Sequence, residues 1–233
     1  MNELIGVYLE KVNETIASAC LRSGRSANDV TIVAVTKYTD VQGIQYCLDA
    51  GLRQIGENVV QHVLPKIEHF EKMNERIFWH FIGHLQSNKV KYILPHVSLI
   101  HSLDRLSLAK EIQLQAEKLD REVDCLLQVN VSGEQSKYGV AIEDLQQLAE
   151  AVSQYDRIKV KGLMTMAPFT ENPEETRSVF AKLRELKEEL ARQQLPNFDL
   201  AHLSMGMSND YSVAIEEGAT LVRLGSVLME KTD

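Results

Sequence analysis

The sequence predicts an α/β fold, namely a (β/α)₈ barrel of the TIM type with one extra helix at its N-terminus. Short, β-branched apolar segments alternate regularly with longer amphipathic segments, and eight of the short segments occur. A length of 233 residues suits a single barrel. No Gly-x-Gly-x-x-Gly follows the first apolar segment, which disfavours a doubly wound dinucleotide-binding sheet.

The elements follow in order within one predicted domain, 1–233. An amphipathic opening segment predicts a helix over Glu3–Arg22, within an N-terminal region of residues 1–23, and the barrel is predicted over 31–226. The predicted strands begin at Thr31, Arg53, Ile77, Val97, Asp124, Ile158, Leu200 and Thr220. The predicted barrel helices cover Val41–Ala50, Val59–Lys72, Leu85–Leu94, Leu106–Leu119, Ile142–Ser153, Pro173–Gln194 and Tyr211–Glu217.

Turn and capping residues support these boundaries. Polar residues that accept hydrogen bonds from backbone amides stand at predicted helix starts: Asp40, Asn58, Asp104 and Ser208. Gly51 and Gly218 stand just past predicted helix ends, where glycine accommodates the left-handed conformation. The longest break, Ser132–Gly139, predicts a functional loop rather than a domain boundary.

Composition limits the classes of partner. The net charge of −8 disfavours nucleic acid and anionic membranes. Cys20, Cys47 and Cys125 are odd in number and far apart, which fits a reducing compartment better than a disulfide framework. The N-terminus is unlike a signal peptide, and no apolar run approaches the length that spans a membrane. We therefore expect a cytoplasmic protein, and a monomer because a closed barrel needs no partner.

Lys37 is the first candidate functional residue. It follows the apolar run Thr31–Thr36, which is typical of a strand buried on both faces. A lysine at the mouth of such a strand is partly desolvated, and desolvation favours the neutral, nucleophilic amine that condenses with carbonyls. The alternative is a lysine that extends from the strand end into water.

The ends of the seventh and eighth strands predict an anion site. Ser204–Ser208 reads Ser-Met-Gly-Met-Ser and precedes a helix, and Gly225-Ser226 follows the last strand. Exposed backbone amides at such turns and at a helix N-terminus bind anions, and barrels frequently bind phosphate there. Two ordinary serine- and glycine-containing turns are the alternative. Because the eighth strand closes against the first, a ligand with both an aldehyde and a phosphate would bridge this site and Lys37, as pyridoxal 5′-phosphate would.

Six blocks carry a family resemblance across nearly the whole chain. In order, they are Val-Ala-Val-Thr-Lys (33–37), Ile-Gly-Glu-Asn (55–58), Trp-His-Phe-Ile-Gly-His-Leu-Gln-Ser-Asn-Lys (79–89), Gly-Leu-Met-Thr-Met (162–166), Leu-Ser-Met-Gly-Met-Ser-Asn-Asp (203–210) and Val-Arg-Leu-Gly-Ser (222–226). Together they resemble the pyridoxal phosphate homeostasis proteins (YggS/PROSC type). The resemblance implies a barrel like the N-terminal domain of alanine racemase, pyridoxal 5′-phosphate held as an internal aldimine, and a role in intracellular vitamin B6 homeostasis.

The resemblance also implies roles for individual residues. Lys37 would be the Schiff-base lysine, Asn58 a polar contact at the cofactor's edge, and Arg223 the neighbour of the pyridine nitrogen. The phosphate would be held by Ser204, the backbone of Gly206 and Met207, Gly225 and Ser226. The alternative for Arg223 is a salt bridge to a barrel carboxylate. Departing from the family, the usual Phe-Gly after the last strand is replaced by Leu228-Met229-Glu230, so the packing of this segment is open.

Three functions compete. A carrier or regulator would bind the cofactor and deliver it, possible recipients being apo-enzymes that depend on it. An amino-acid racemase would need acid–base groups on both faces of the cofactor, and neither Tyr38 nor Tyr138 is an obvious second base. A Schiff-base aldolase would carry its lysine on a later strand with carboxylates nearby. A permanently charged Arg223 beside the pyridine nitrogen weakens the ring as an electron sink, which favours the carrier.

Other residues admit two interpretations each. His80 and His84 have i, i+4 spacing but span a strand end, so a metal site is disfavoured, and His84 fits the cofactor pocket better. The methionines at strand ends are core filler or an adaptable apolar wall: Met164, Met166, Met205 and Met207. Lys137, in the long loop, is either solvated or a secondary group for cofactor uptake.

Overall fold

The computed structural model describes residues 2–134 and 137–229. Its eight parallel strands close into a barrel in sequential order, and the last strand pairs with the first. The strands are β1 Thr31–Val35, β2 Gln54–Glu57, β3 Phe78–Phe81, β4 Val97–Leu103, β5 Val123–Gln128, β6 Ile158–Met164, β7 Phe198–Met207 and β8 Leu221–Leu224. The predicted fold class is confirmed.

Eight α-helices accompany the strands in the described ranges. They are α1 Asn2–Arg22, α2 Val41–Asp49, α3 Val60–Lys72, α4 Val90–Ile93, α5 Leu106–Lys118, α6 Leu145–Val152, α7 Arg177–Ala191 and α8 Tyr211–Glu216. The predicted helix Leu85–Leu94 is mostly wrong, because this stretch forms a short 3₁₀ turn at Ser87–Lys89 and then only the single turn α4. The predicted helices beginning at Ile142 and Pro173 likewise open with 3₁₀ turns.

Alternation along the strands separates two cores. Outward-facing residues such as Ala34, Ile55 and Phe81 join the large core between sheet and helices. A second, smaller apolar cluster fills part of the barrel interior and consists of Val33, Leu99, Leu126, Met164 and Leu221. The rest of the interior is polar, which is unusual for a fold whose interior is dominated by branched apolar residues.

The capping predictions succeed in part. Asp40 accepts a hydrogen bond from the Gly43 amide at 3.0 Å and begins α2. Asn58 and Asp104 each lie one residue before the true N-cap position and do not cap. Gly51 and Gly218 follow α2 and α8 with φ values of +85° and +102°, as predicted.

The N-terminal helix fixes the last barrel helix. Arg22 at the end of α1 bonds Glu216 on α8 at 2.6 Å, and Arg25 donates to the Ile215 carbonyl at 2.7 Å. Because α8 directly follows the β7 loop, α1 supports the part of the rim where the anion site is predicted. None of the described helices is long and apolar enough to cross a membrane.

Candidate functional site

A cavity of about 1410 Å³ lies at the carboxyl ends of the strands. It is lined by most of the residues that the sequence singled out: Lys37, Asn58, Met207, Arg223, Gly225 and Ser226. Strand ends in a parallel barrel all open onto one face, which explains why residues far apart in sequence converge here. The structure thus brings both predicted halves of the site into one cavity.

Lys37 lies just past β1 and is half-buried. Its Nζ forms no hydrogen bond or ion pair with any residue that the structure describes, and lies 4.8 Å from the ring centroid of Tyr38. Its amine therefore remains available to a ligand in the cavity.

A buried ion pair underlies Lys37. Lys66 Nζ lies 2.6 Å from Glu57 Oε1, and their side chains are only 11% and 2% exposed. Lys66 also donates to the Thr36 carbonyl at 2.9 Å, while the Thr36 hydroxyl donates to Glu57 Oε1. Because Thr36 precedes Lys37 and Glu57 precedes Asn58, this cluster ties together the two strand ends that present Lys37 and Asn58. Sequence reasoning missed Lys66.

Ser208 joins the β7 and β8 loops. It was predicted to cap the following helix, but this prediction is wrong, since Asp210 occupies the N-cap position. The Ser208 hydroxyl instead accepts hydrogen bonds from the amides of Gly225 and Val227, at 3.2 and 3.3 Å. The two predicted phosphate loops are therefore bound directly to each other.

The amides at this rim are divided between bonded and free groups. The Met207 amide donates to Asp210 Oδ1 at 2.6 Å, and burial raises the pKa of Asp210 despite that bond and the nearby charge of Arg223. The amides of Ser208, Asn209 and Ser226 form no hydrogen bond within the described chain, and all three residues line the cavity. Ser226 was among the predicted phosphate residues, whereas Ser208 and Asn209 lie one and two residues after the predicted Met207.

Ser204 and Gly206 lie away from the cavity lining. Ser204 is fully buried, and its hydroxyl contacts Arg223 and His101. Gly206 is buried with φ of +90°, and a Cβ there would come within 2.6 Å of the Ala214 Cβ on α8. Glycine is required at position 206 because the backbone packs closely against α8 and has a positive φ, and not because a ligand in the cavity approaches it.

Arg223 is buried at the cavity and has no carboxylate partner among the residues that the structure describes. It is 4% exposed, donates to Ser204 Oγ at 2.6 Å and to the Thr165 carbonyl at 2.8 Å, and forms no ion pair with the described residues. The alternative of a salt bridge is therefore not found. Burial lowers the pKa of Arg223 to about 10, with Asp210 acting in the opposite direction, so the guanidinium stays charged at neutral pH.

Two buried histidines continue the hydrogen bonding from Ser204, the partner of Arg223, into the barrel interior. His101 Nδ1 lies 2.9 Å from Ser204 Oγ, its Nε2 lies 2.8 Å from His80 Nδ1, and His80 Nε2 lies 2.6 Å from Gln54 Oε1. Burial lowers the pKa of His80 to about 4 and that of His101 well below its ordinary value. Sequence reasoning missed this network, although His80 alternates with the outward-facing Trp79 and Phe81 and so had to face the interior.

His84 and Tyr138 form one wall of the cavity. Their rings stack at 4.2 Å between centroids, and Asp104 Oδ2 lies 3.8 Å from His84 Nδ1. Asn58 is half-buried on the same rim, and a Cβ at Gly83 would overlap the Asn58 backbone. Glycine at position 83 therefore lets the β3 loop pack tightly beside Asn58.

The remaining candidates occupy separate places. Lys137 lies outside the lining and donates to the Met166 carbonyl at 3.4 Å, so its secondary role stays a prediction. Met166 borders the cavity, as Met207 does, whereas Met164 and Met205 are fully buried. Within 2–134 and 137–229, no group of three or more His, Cys, Asp or Glu side chains is placed to hold a metal.

The segment after β8 packs well despite its departure from the family. Leu228 is fully buried in the large core, and the amides of Leu228 and Met229 donate to the Gly225 carbonyl, both at 3.0 Å. Glu230 lies outside the described residues. Leucine thus anchors the turn that carries Ser226.

Comparison with known proteins agrees with this geometry. Residues 19–232 match the family model for the alanine racemase N-terminal domain. The pyridoxal phosphate homeostasis protein of Aquifex aeolicus (strain VF5) is 48% identical over 220 residues, covering 94% of this chain and 95% of that protein. The Escherichia coli (strain K12) protein of the same name is 36% identical over 237 residues, covering 100% and 98%.

Among solved structures, PipY of Synechococcus elongatus PCC7942 with pyridoxal phosphate bound matches with a TM-score of 0.80 at 35% identity, over 93% of this chain and 99% of that one. The predicted resemblance is confirmed. The chain belongs to the pyridoxal phosphate homeostasis proteins, within the family of the alanine racemase N-terminal domain.

Proposed function

We propose that this chain binds pyridoxal 5′-phosphate in the cavity at the carboxyl ends of the strands and acts in vitamin B6 homeostasis as a carrier or regulator. One observation carries the proposal. A lysine Nζ without a hydrogen bond, a buried arginine without a carboxylate partner, and backbone amides without acceptors all border one cavity, as far as the described residues show. This donor set matches an aldehyde, an aromatic nitrogen and a phosphate.

The phosphate fits the rim between the β7 and β8 loops. The amides of Ser208, Asn209 and Ser226, which have no acceptor among the described residues, supply donors, and Gly225 borders the same cavity. Ser204 serves this site indirectly, through Arg223. We therefore propose Ser208 and Asn209 as phosphate donors in place of Ser204 and Gly206.

Lys37 Nζ is proposed to attach the cofactor by condensing with its aldehyde, with loss of one water. The bound cofactor would supply an electron-withdrawing ring. Arg223 would direct its free N–H groups at the ring nitrogen and keep that nitrogen unprotonated, because a charged guanidinium only donates hydrogen bonds. Asn58 would contact the ring edge, and the His84–Tyr138 wall would limit the ring's movement.

Absorption spectroscopy combined with chemical trapping tests this assignment. Purified protein should take up added cofactor with a new visible band, and borohydride should fix the cofactor on the peptide that contains Lys37. Lys37→Ala should lose the adduct, whereas Lys72→Ala, which removes an exposed lysine paired with Glu68, should keep it. A protein that gains no band and no adduct would exclude the proposal.

The arrangement around Arg223 favours carriage over turnover, because it weakens the ring as an electron sink. The loaded protein can be mixed directly with an apo-enzyme in the presence of a trap that captures free cofactor. Transfer to the apo-enzyme that is faster than the release of free cofactor would support a carrier. Exchange of an amino acid's α-proton in D₂O that disappears in Lys37→Ala would instead support the racemase alternative. An unchanged transfer rate in Lys137→Ala would exclude a role of that lysine in handover.

We also propose that the protein works in the cytoplasm as a monomer. Its three cysteines are free and buried, which suits a reducing compartment. Light scattering after size-exclusion chromatography should give the mass of one chain, 26.3 kDa. A stable dimer mass would contradict the proposed state.

A further inference from the structure

A continuous chain of hydrogen bonds crosses the barrel interior and ends at Arg223. It begins at Gln54 on β2, passes through His80 on β3 and His101 on β4, and crosses to Ser204 on β7, with successive distances of 2.6, 2.8 and 2.9 Å. Arg223 on β8 then donates to Ser204 at 2.6 Å. The two histidines and Ser204 are at most 5% exposed, so water does not compete for these bonds.

The chemistry of the two ends determines the direction of every bond. Arg223 only donates, so Ser204 Oγ accepts at one end. Gln54 Oε1 only accepts, so His80 Nε2 carries the proton at the other end. A neutral imidazole carries one proton, so His80 Nδ1 must accept from His101 Nε2, and His101 Nδ1 must accept from the Ser204 hydroxyl.

The opposite direction fails at Ser204. If both rings carried their protons on Nδ1, the Ser204 hydroxyl would accept from His101 and from Arg223 at once. Its own proton would then lack an acceptor among the described residues, a costly state for a buried hydroxyl. The low pKa values of His80 and His101, which result chiefly from burial, agree with two neutral rings.

We propose that Gln54, His80, His101 and Ser204 are positioning residues that orient Arg223 toward the cavity through hydrogen bonds donated in one direction, from Arg223 to Gln54. The network occupies Ser204 as an acceptor and provides no negative charge. The guanidinium is therefore fixed in place without a direct carboxylate contact among the described residues, since Asp210 acts on it only from beyond ion-pair distance. Its remaining N–H groups have no acceptor among the described residues, and Arg223 lines the cavity, so under the proposed function the ring nitrogen accepts from them.

The direction can be measured on the cofactor-free protein. Two-bond ¹H–¹⁵N correlation spectra distinguish the two neutral tautomers, and both rings should show the proton on Nε2. Gln54→Glu places a carboxylate beside His80 without touching Arg223 or the cavity lining. It should favour the charged form of His80, whose Nδ1 then also carries a proton, and so disturb the bond between His80 Nδ1 and His101 Nε2, which changes the ¹⁵N shifts of both rings. Gln146→Glu, on the exposed face of α6, is the control and should change neither ring.

A second measurement uses the loaded protein and rests on the proposed function. Ser204→Ala removes the acceptor that holds Arg223 and should speed cofactor dissociation about tenfold, while borohydride still fixes the cofactor on Lys37. Nδ1 protons in the wild-type rings would overturn the network even if the cofactor binds. The expected tautomers in a protein that takes up no cofactor would uphold the network and reject the proposed function instead. If Gln54→Glu does not fold, the wild-type tautomers alone decide.

Discussion

Lys66 and Arg223 are two buried cations beside the same cavity, but they are held in opposite ways. Lys66 has Glu57 at 2.6 Å and lies outside the cavity lining. Arg223 borders the cavity and, within the described chain, bonds only a hydroxyl and a carbonyl. A buried charge that is paired within the protein supports structure, whereas one that is left uncompensated at a cavity indicates a ligand.

The Glu57 carboxylate extends the comparison. Its Oε1 receives both Lys66 and Thr36, but its buried Oε2 has no hydrogen-bond partner in the described chain. The pair is therefore compensated in charge although one carboxylate oxygen is unbonded, and removing Lys66 would leave a buried negative charge, which is strongly destabilising.

Lys66→Met should have the largest effect on stability. It leaves the Glu57 carboxylate buried and unpaired, so we expect a loss of about 3–5 kcal/mol in the free energy of unfolding, measured by urea denaturation. Lys72→Met is the matched control, since Lys72 pairs with Glu68 at 2.7 Å on the surface and should change stability by about 1 kcal/mol or less. Similar losses in both variants would remove the distinction between buried and exposed pairs.

Acid should have the next largest effect on the free energy of unfolding, through the buried histidines of the network that ends at Arg223. The pKa of His80 is about 4 in the folded chain and about 6.5 when unfolded, so the unfolded chain takes up the proton first as pH falls. The free energy of unfolding is therefore not reduced by His80 above pH 6.5. Between pH 6.5 and pH 4 it falls by about 1.4 kcal/mol per pH unit, because only the unfolded chain binds the proton. His101, whose pKa is also lowered, adds a loss in the same direction.

Substitution separates the effect of His80 on the pH dependence of the unfolding free energy from the effects of other titratable groups. His80→Gln should flatten the dependence of unfolding free energy on pH between 6.5 and 4, whereas Ser212→Ala, which changes no titratable group, should leave that dependence in place. His202, whose pKa is also lowered chiefly by burial, supplies part of the remaining slope in both variants. An unaltered slope in His80→Gln would show that His80 is not buried in its neutral form.

Arg223→Met makes the same side-chain change as Lys66→Met at the uncompensated site. It removes two hydrogen bonds but strands no charge, so we expect a stability loss of about 1–2 kcal/mol. Cofactor affinity should fall about 10–100-fold, measured by fluorescence titration, because the ring nitrogen loses its donor. A loss of stability equal to that of Lys66→Met would mean that Arg223 has an internal charge partner after all.

Ser208→Ala should have the smallest effect. Its hydroxyl accepts from the Gly225 and Val227 amides, so its removal should cost about 1 kcal/mol of stability. Because it holds together the two loops with unbonded amides, the affinity for inorganic phosphate should fall more than the rate at which borohydride traps aldehyde on Lys37. Ser212→Ala, on the outer side of α8 against Arg22, is a control that should alter neither.

The fold was predictable from the sequence because its signals are local. Thr31 and Val97 begin strands as predicted, and Asp40 caps α2, since apolar runs and cap residues act over a few positions. The helix predicted after β3 is longer than the observed one, because Leu85 and Ile93 are buried apolar residues with helical spacing. Tertiary packing there decides between a helix and a turn.

The site was predictable in its members but less so in its bonds. Lys37, Asn58, Arg223 and Ser226 converge because parallel strands deliver their ends to one face. Ser204 was expected at the phosphate, yet it faces the interior and bonds Arg223. A motif does not state which of its residues points inward, since the irregular register between Ser204 and Met207 changes the alternation along β7.

The closed parallel barrel, and the lysine and two small-residue loops at one of its ends, follow from the amino-acid sequence alone. Periodicity, length and short motifs suffice for this, because they reflect local preferences and the pattern of burial. Which charges are compensated depends on the three-dimensional packing. Lys66 reaches Glu57 across a strand end, and Gln54 reaches Arg223 through side chains of three other strands. Such pairings depend on distances in space between residues far apart along the chain, and no local pattern encodes them.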